Sequence, residues 1–171
     1  MSDHLCVSCS LCCNGSLFAR VPVSSEERAR LGSGPDFFEK NGGIRMKQGC
    51  SRLGYDGACQ CYDLRPETCR TYKCRLLKRV EAGETTERDA VEMVTEIKTA
   101  QKNAKSWIAK ALGIEPQELT MTQAGAAYAR MRAAEKDRGK ELDAKTLAHA
   151  KLCYKTYVAM VQLHIKPTFL K

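Results

Sequence analysis

The chain has 171 residues, of which 43% are hydrophobic and 28% are charged, and its formal net charge at pH 7 is +8. This composition is typical of a soluble globular protein and excludes a collagen, a disordered tail and a membrane-embedded protein. The first residues lack the basic start and the long apolar stretch of a secretory signal, so we expect a cytoplasmic protein with no membrane partner.

Cysteine dominates the first part of the chain, because nine of the ten cysteines lie between residues 6 and 74. Cys6, Cys9 and Cys12 follow one another at intervals of three, and Cys13 comes directly after them. An odd number of cysteines in a reducing compartment argues against a disulfide scaffold, and a Cys-x-x-Cys turn directs two sulfurs towards one point. The pattern therefore indicates metal binding more strongly than disulfides or metal-free redox thiols.

The segment between the two groups of cysteines predicts a small sheet and one short helix. Residues 17–23 and 43–48 alternate weakly between apolar and polar, as strands do. Ser24 is followed three positions later by Glu27, which is the pattern of a helix capping box. The phenylalanine pair at 37–38 is expected to pack within this cysteine-rich domain.

The second group of cysteines completes a recognisable pattern. A C-x2-Y-x2-R-P-x2-C-R-x-Y-x-C segment runs from residue 59 to 74, after an isolated Cys50 and the earlier C-x2-C-x2-C-C run. Over residues 6–74 the chain resembles the CxxCxxCC (YkgJ-like) cysteine-cluster family, described as a zinc- or iron-chelating domain. The resemblance implies eight metal ligands: Cys6, Cys9, Cys12, Cys13, Cys50, Cys59, Cys69 and Cys74. Cys61 departs from the family pattern, which has an aliphatic residue there, and is either a spare core thiol or an alternative ligand.

The identity of the metal stays open between two possibilities. Eight thiolates can form two tetrahedral zinc sites, or one [4Fe–4S] cluster with four ligands left for a second metal. The C-x2-C-x2-C run is typical of [4Fe–4S] proteins. In those proteins the next cysteine lies further along the chain and is followed by proline, whereas here Cys13 directly follows Cys12. The pattern slightly favours an iron–sulfur cluster over zinc.

The rest of the chain predicts helices. Apolar residues recur at helical spacing over 91–112, Gly113 ends that helix, and Pro116 can open the next one. We therefore predict an α+β fold that is mainly α. Residues 1–80 would form a small irregular cysteine-rich metal-binding domain, and residues 81–171 a helical hairpin or three-helix bundle packed on it.

No local catalytic motif is present, so we expect a metal-binding protein in electron transfer or metal handling, with a redox protein as one conceivable partner. Two alternatives remain: an iron–sulfur-dependent redox or methyl-transfer enzyme, and a zinc-stabilised module that binds nucleic acid or an acidic protein. Six basic residues lie between 65 and 79. Charge compensation of an anionic sulfur cluster explains them better than a nucleic-acid surface does.

Overall fold

The computed structural model describes residues 3–136 and 143–166. The chain divides into two compact units, residues 1–73 and 74–171. The described part consists mainly of helices with one small antiparallel sheet, so the prediction of an α+β fold that is mainly α is confirmed.

The first unit contains short elements only. They are α1 (Asp3–Cys9), β1 (Arg20–Pro22), α2 (Ser25–Leu31), β2 (Phe37–Lys40), β3 (Gly43–Lys47), a 3-10 turn (Tyr62–Leu64) and α3 (Glu67–Thr71). The strands form one antiparallel sheet in the order β1-β3-β2. The remaining residues of this unit are turns and loops, which carry most of its cysteines.

The sequence predicted β1 and β3 but not β2. Strand β2 joins β3 through a two-residue turn, Asn41 and Gly42, in which both residues have positive φ angles of 53° and 70°. Such a turn matches the twist of the two strands it connects. The strand itself has no alternating pattern, because two phenylalanines are followed by two charged residues.

The apolar core of this sheet is small. Its fully buried members are Val21, Val23, Leu31 and Met46. Phe37 packs against them, whereas Phe38 is 39% exposed because neighbouring residues of a strand point to opposite faces. The prediction that both phenylalanines pack inside this unit is therefore wrong for Phe38.

The second unit is built from longer helices. They are α4 (Arg75–Glu81), α5 (Glu87–Leu112), a 3-10 turn (Pro116–Glu118), α6 (Met121–Lys136), α7 (Ala144–Met160) and a π-helical turn (Val161–Ile165). Helix α5 packs against both α6 and α7, and α6 also packs against α7. The sequence predicts a helical hairpin or a three-helix bundle, and these contacts show the three-helix bundle.

The ends of these helices follow the local sequence signals in part. Gly113 ends α5 in the left-handed conformation, with a φ angle of 69°. Pro116 opens a 3-10 turn, and α6 begins only at Met121, after Thr120 and Gln123 exchange hydrogen bonds in a capping box. None of the described helices has the length and apolar character needed to cross a membrane.

Candidate metal centre

Helix α1 and the turn after it position the first group of cysteines. Cys6 and Cys9 lie three positions apart on α1, so they occupy the same side of the helix. Ser10, with a positive φ angle of 54°, ends the helix, and Cys12 and Cys13 follow in the next turns. Cys6 is exposed, whereas the other three are half-buried.

A backbone hydrogen bond joins the two groups of cysteines. The N–H of Cys50 donates to the carbonyl of Cys13 over 2.8 Å. Beside this bond, Gly15 adopts a φ angle of +82°, and a Cβ atom there would lie 2.8 Å from the backbone nitrogen of Gly49. Only glycine permits so close an approach of the two backbones.

The end of α1 contacts the turn that precedes Cys59. Gly57 in this turn has a φ angle of +83°, and a Cβ atom at this position would lie 2.6 Å from the carbonyl oxygen of Val7. The hydroxyl of Ser10 also donates to the carbonyl of Gly57 over 3.2 Å. Residues 7–10 of the first motif are thereby fixed against the backbone that leads into the second.

Cys59 and Cys61 bring their sulfur atoms close together. Cys59 is held by a β-bridge to Leu53. Its Sγ lies 3.7 Å from the Sγ of Cys61. Cys61 packs against the apolar core of the sheet, as Cys50 and Cys69 also do.

A buried carboxylate fixes the helix that carries Cys69. Glu27 is only 8% exposed and accepts the backbone N–H of Ser24 over 2.8 Å, as the capping box predicted. Its other oxygen accepts the backbone N–H of Glu67, 40 positions away, over 2.6 Å. These two bonds, the one from Glu67 first, lower the pKa of Glu27, so the carboxylate stays ionised at the start of α3.

Burial and repulsion from neighbouring sulfurs keep Cys13 and Cys69 protonated. Burial first, and then repulsion from neighbouring sulfurs that include Cys50 and Cys59, raise the pKa of Cys13 to about 11 and that of Cys69 to about 12. The guanidinium of Arg65 acts in the opposite direction on both. Thiolates become favourable at such a place when a cation neutralises them, as a bound metal does.

The same forces act on Cys61. Burial, followed by the influence of Cys59 and Cys50, raises its pKa to about 12, and Arg52 lowers it. Burial also raises the pKa of Cys50, against the lowering effect of Arg52. The side chain of Arg52 is held by a 3.2 Å hydrogen bond to the carbonyl of Leu31, which places a positive charge beside this pair of thiols.

Cys74, the eighth predicted ligand, begins the second unit. Its Sγ accepts the N–H of Leu77 over 3.4 Å and so caps α4. Burial raises its pKa, and the N–H groups of the first turn of α4 lower it. Burial outweighs these N–H groups, so the pKa of Cys74 is raised overall and a bound cation would be needed to favour its thiolate.

Several basic side chains between residues 65 and 79 have partners within their own unit. The guanidinium of Arg65 lies 3.4 Å from the centre of the Tyr62 ring, and Arg70 forms an ion pair with Glu67. In the second unit, Arg79 lies 3.7 Å from a carboxylate oxygen of Glu84. These partners are an aromatic ring and two carboxylates, so compensation of a sulfur cluster by this segment stays a prediction.

The thiols fit zinc or iron–sulfur in their chemistry, although they are not assembled as a finished site. Within residues 3–136 and 143–166, no group of three or more His, Cys, Asp or Glu side chains is arranged to hold a metal ion. Six thiols of the first unit nevertheless lie close enough for the charge of one to affect another: Cys6, Cys13, Cys50, Cys59, Cys61 and Cys69. An all-sulfur donor set is what tetrahedral zinc and iron–sulfur clusters require. The eight-ligand set stays a prediction.

Two residues shape this centre in ways that the sequence did not predict. Arg52 stands in no recognisable motif, so no local signal could have placed its charge beside Cys61. Glu27 was identified only as a cap, because its second partner is distant in sequence.

One comparison with known proteins bears on these residues. The model of the CxxCxxCC family, whose description is "Putative zinc- or iron-chelating domain", matches residues 5–100, more than half of the chain. No curated protein matches the chain, and no solved structure matches it.

Proposed function

Because the chain belongs to the CxxCxxCC family of zinc- or iron-chelating domains, we propose that its eight motif cysteines form an all-thiolate metal centre in electron transfer or metal handling. The observation that carries the proposal is the hydrogen bond between Cys50 and Cys13, because it places the end of the first cysteine group beside the start of the second. The residues that would hold the metal are Cys6, Cys9, Cys12, Cys13, Cys50, Cys59, Cys69 and Cys74.

The bound metal would also supply folding free energy to the first unit. The core beside its sheet consists of four buried apolar side chains, and its helices have five to seven residues. Helices this short are marginal in water without tertiary support. Structural zinc contributes on the order of 10–16 kcal/mol of binding free energy in small domains, so ligation can replace a larger apolar core.

A bound metal would provide either a redox-active iron–sulfur cluster or a redox-inert zinc cross-link between the cysteines. Iron–sulfur remains our first assignment because of the C-x2-C-x2-C run, with zinc as the alternative. Four thiolates around one ion leave no open position for substrate, so we assign the protein no catalytic step. The role of the chain's own residues is to hold thiolates together and to balance their charge with Arg52 and Arg65.

The test is a visible spectrum with elemental and sulfide analysis of the full chain, purified without oxygen. A broad band near about 400 nm with iron and acid-labile sulfide supports the iron–sulfur assignment. A colourless protein with about two zinc ions per chain supports the zinc assignment. A folded protein that contains neither metal refutes the proposal.

Cys9→Ser gives a second test of the same proposal. The substitution removes one predicted thiolate, so we expect it to lower both metal content and thermal stability. Cys153→Ser is the matched control, because Cys153 lies on α7 and outside the motif. A Cys9→Ser protein with full metal content and unchanged melting temperature would contradict the ligand set.

A further inference from the structure

The separation of Cys59 and Cys61 has the value expected for two thiolates on one metal ion. Their Sγ atoms lie 3.7 Å apart. Two sulfurs bound to a single tetrahedral zinc, each at about 2.3 Å, lie about 3.8 Å apart. In a [4Fe–4S] cluster each of the four thiolates binds a different iron, so no two of them share an ion.

The backbone fixes both residues in this relation. The β-bridge to Leu53 holds Cys59, and the N–H of Gln60, between the two cysteines, donates to the carbonyl of Arg52 over 2.8 Å. The carbonyl of Cys61 in turn accepts the N–H of Leu64 over 3.0 Å. Backbone hydrogen bonds at Gln60 and Cys61 therefore hold the segment that carries the two sulfurs.

A positively charged residue is paired with this segment, because the carbonyl of Arg52 accepts the N–H of Gln60 between the two cysteines. Arg52 is anchored through its Nη2 atom to the carbonyl of Leu31. Its Nε atom is buried and has no hydrogen-bond acceptor among the described residues. A buried guanidinium N–H without a protein acceptor is suited to balance a negatively charged metal–thiolate group.

From this geometry we propose that Cys59 and Cys61 bind the same thiophilic metal ion, so that Cys61 is a ligand in addition to the eight of the family motif. The proposal rests on the proposed function, since it requires that the chain binds metal. When the ion binds, each thiol releases its proton to solvent and forms one metal–sulfur bond. Zinc, or a single iron coordinated only by sulfur, is the class of ion that this pair would take.

The first test uses the wild-type full chain as purified without oxygen. We expect alkylating reagent to leave both Cys59 and Cys61 unmodified while metal is bound, and to modify both once a chelator has removed it. Cys153 provides the internal reference, because its reactivity should not depend on metal. Peptide mass spectrometry measures the modified fraction at each position.

Three results of this experiment would overturn the inference. Cys61 could be modified while Cys59 is protected, which would leave it outside the coordination sphere. Cys61 could stay protected after chelation, which would make burial the cause. Both cysteines could become reactive only after a reductant, which would identify a disulfide.

Two substitutions separate ligation from packing. Cys61→Val keeps an apolar side chain against the core but removes the sulfur, whereas Cys61→Ser removes both the sulfur and the apolar contact. Ligation predicts that both variants bind metal at least about tenfold more weakly, since even outer partners of a metal site are worth about 10–100-fold.

A packing role predicts instead that Cys61→Val behaves as the wild type, which would refute the inference. A wild-type chain that binds no metal would refute the proposed function itself. Wild-type metal content and affinity in Cys61→Val would refute only the additional ligand.

Discussion

The contact between α1 and the turn at Gly57 offers a direct test of how the two cysteine motifs are held together. We consider the substitution Gly57→Ala, which adds one methyl group. That methyl would lie 2.6 Å from the carbonyl oxygen of Val7 and 2.8 Å from the hydroxyl oxygen of Ser10. The serine side chain can rotate away, but Val7 can yield only if the backbone of α1 moves.

Two terms set the size of the effect. Alanine at a φ angle of +83° costs about 1–2 kcal/mol, because its Cβ approaches the following carbonyl oxygen. Forcing an extra carbon into a packed contact costs about 1–3 kcal/mol. We therefore expect Gly57→Ala to lower the free energy of unfolding of the metal-loaded protein by about 2–5 kcal/mol, and to weaken metal retention.

Two glycines of the same unit serve as matched controls. Gly42 has a φ angle of +70°, and a Cβ atom added there would have no neighbouring atom within 4 Å, so Gly42→Ala reports the conformational term alone. At Gly49 the nearest atom would lie at 3.5 Å, so we expect Gly49→Ala to change stability by less than about 0.5 kcal/mol. Urea unfolding measures the free energy of unfolding, and competition with a coloured chelator measures how tightly each variant retains metal. If Gly57→Ala matched Gly49→Ala in both stability and metal retention, the close contact between Gly57 and Val7 would have no role in the site.

Two further predictions concern charge and metal. Glu27→Gln should lower stability at neutral pH by about 1–3 kcal/mol, because the ionised carboxylate accepts two backbone N–H groups. The pKa of Glu27 is lowered in the folded state, so the stability advantage of the wild type over Glu27→Gln should be complete above about pH 4.3 and should vanish as the pH falls through the folded-state pKa. Urea unfolding of both proteins at several pH values measures this advantage. A stability difference that does not change with pH would contradict the prediction. Removal of the metal with a chelator should abolish hydrogen-exchange protection in β1 and β3 but preserve it in α5 and α7. Equal loss of protection in all four elements would refute a metal effect confined to the first unit.

The sequence by itself determined the features that depend on neighbouring residues. The capping box of Ser24 and Glu27, the left-handed end of α5 at Gly113 and the family motif could all be read from residues a few positions apart. Helical periodicity likewise predicted a helical hairpin or a three-helix bundle, since each helix must bury its apolar side. These features need no knowledge of distant contacts, because hydrogen bonds and side-chain repeats within one element specify them.

Only the tertiary structure decided the relations between distant segments. Strand β2 lacks an alternating pattern and forms because β3 offers it hydrogen-bond partners. The bond from Glu67 to Glu27 spans 40 positions, and the charge of Arg52 reaches the thiol of Cys61 only through the folded chain. The sequence left the role of Cys61 open, and its 3.7 Å separation from Cys59 emerges only when β-bridge, turn and core are in place. Composition and spacing identify the cysteines that can bind metal, but backbone contacts between distant segments decide which sulfur atoms lie close together.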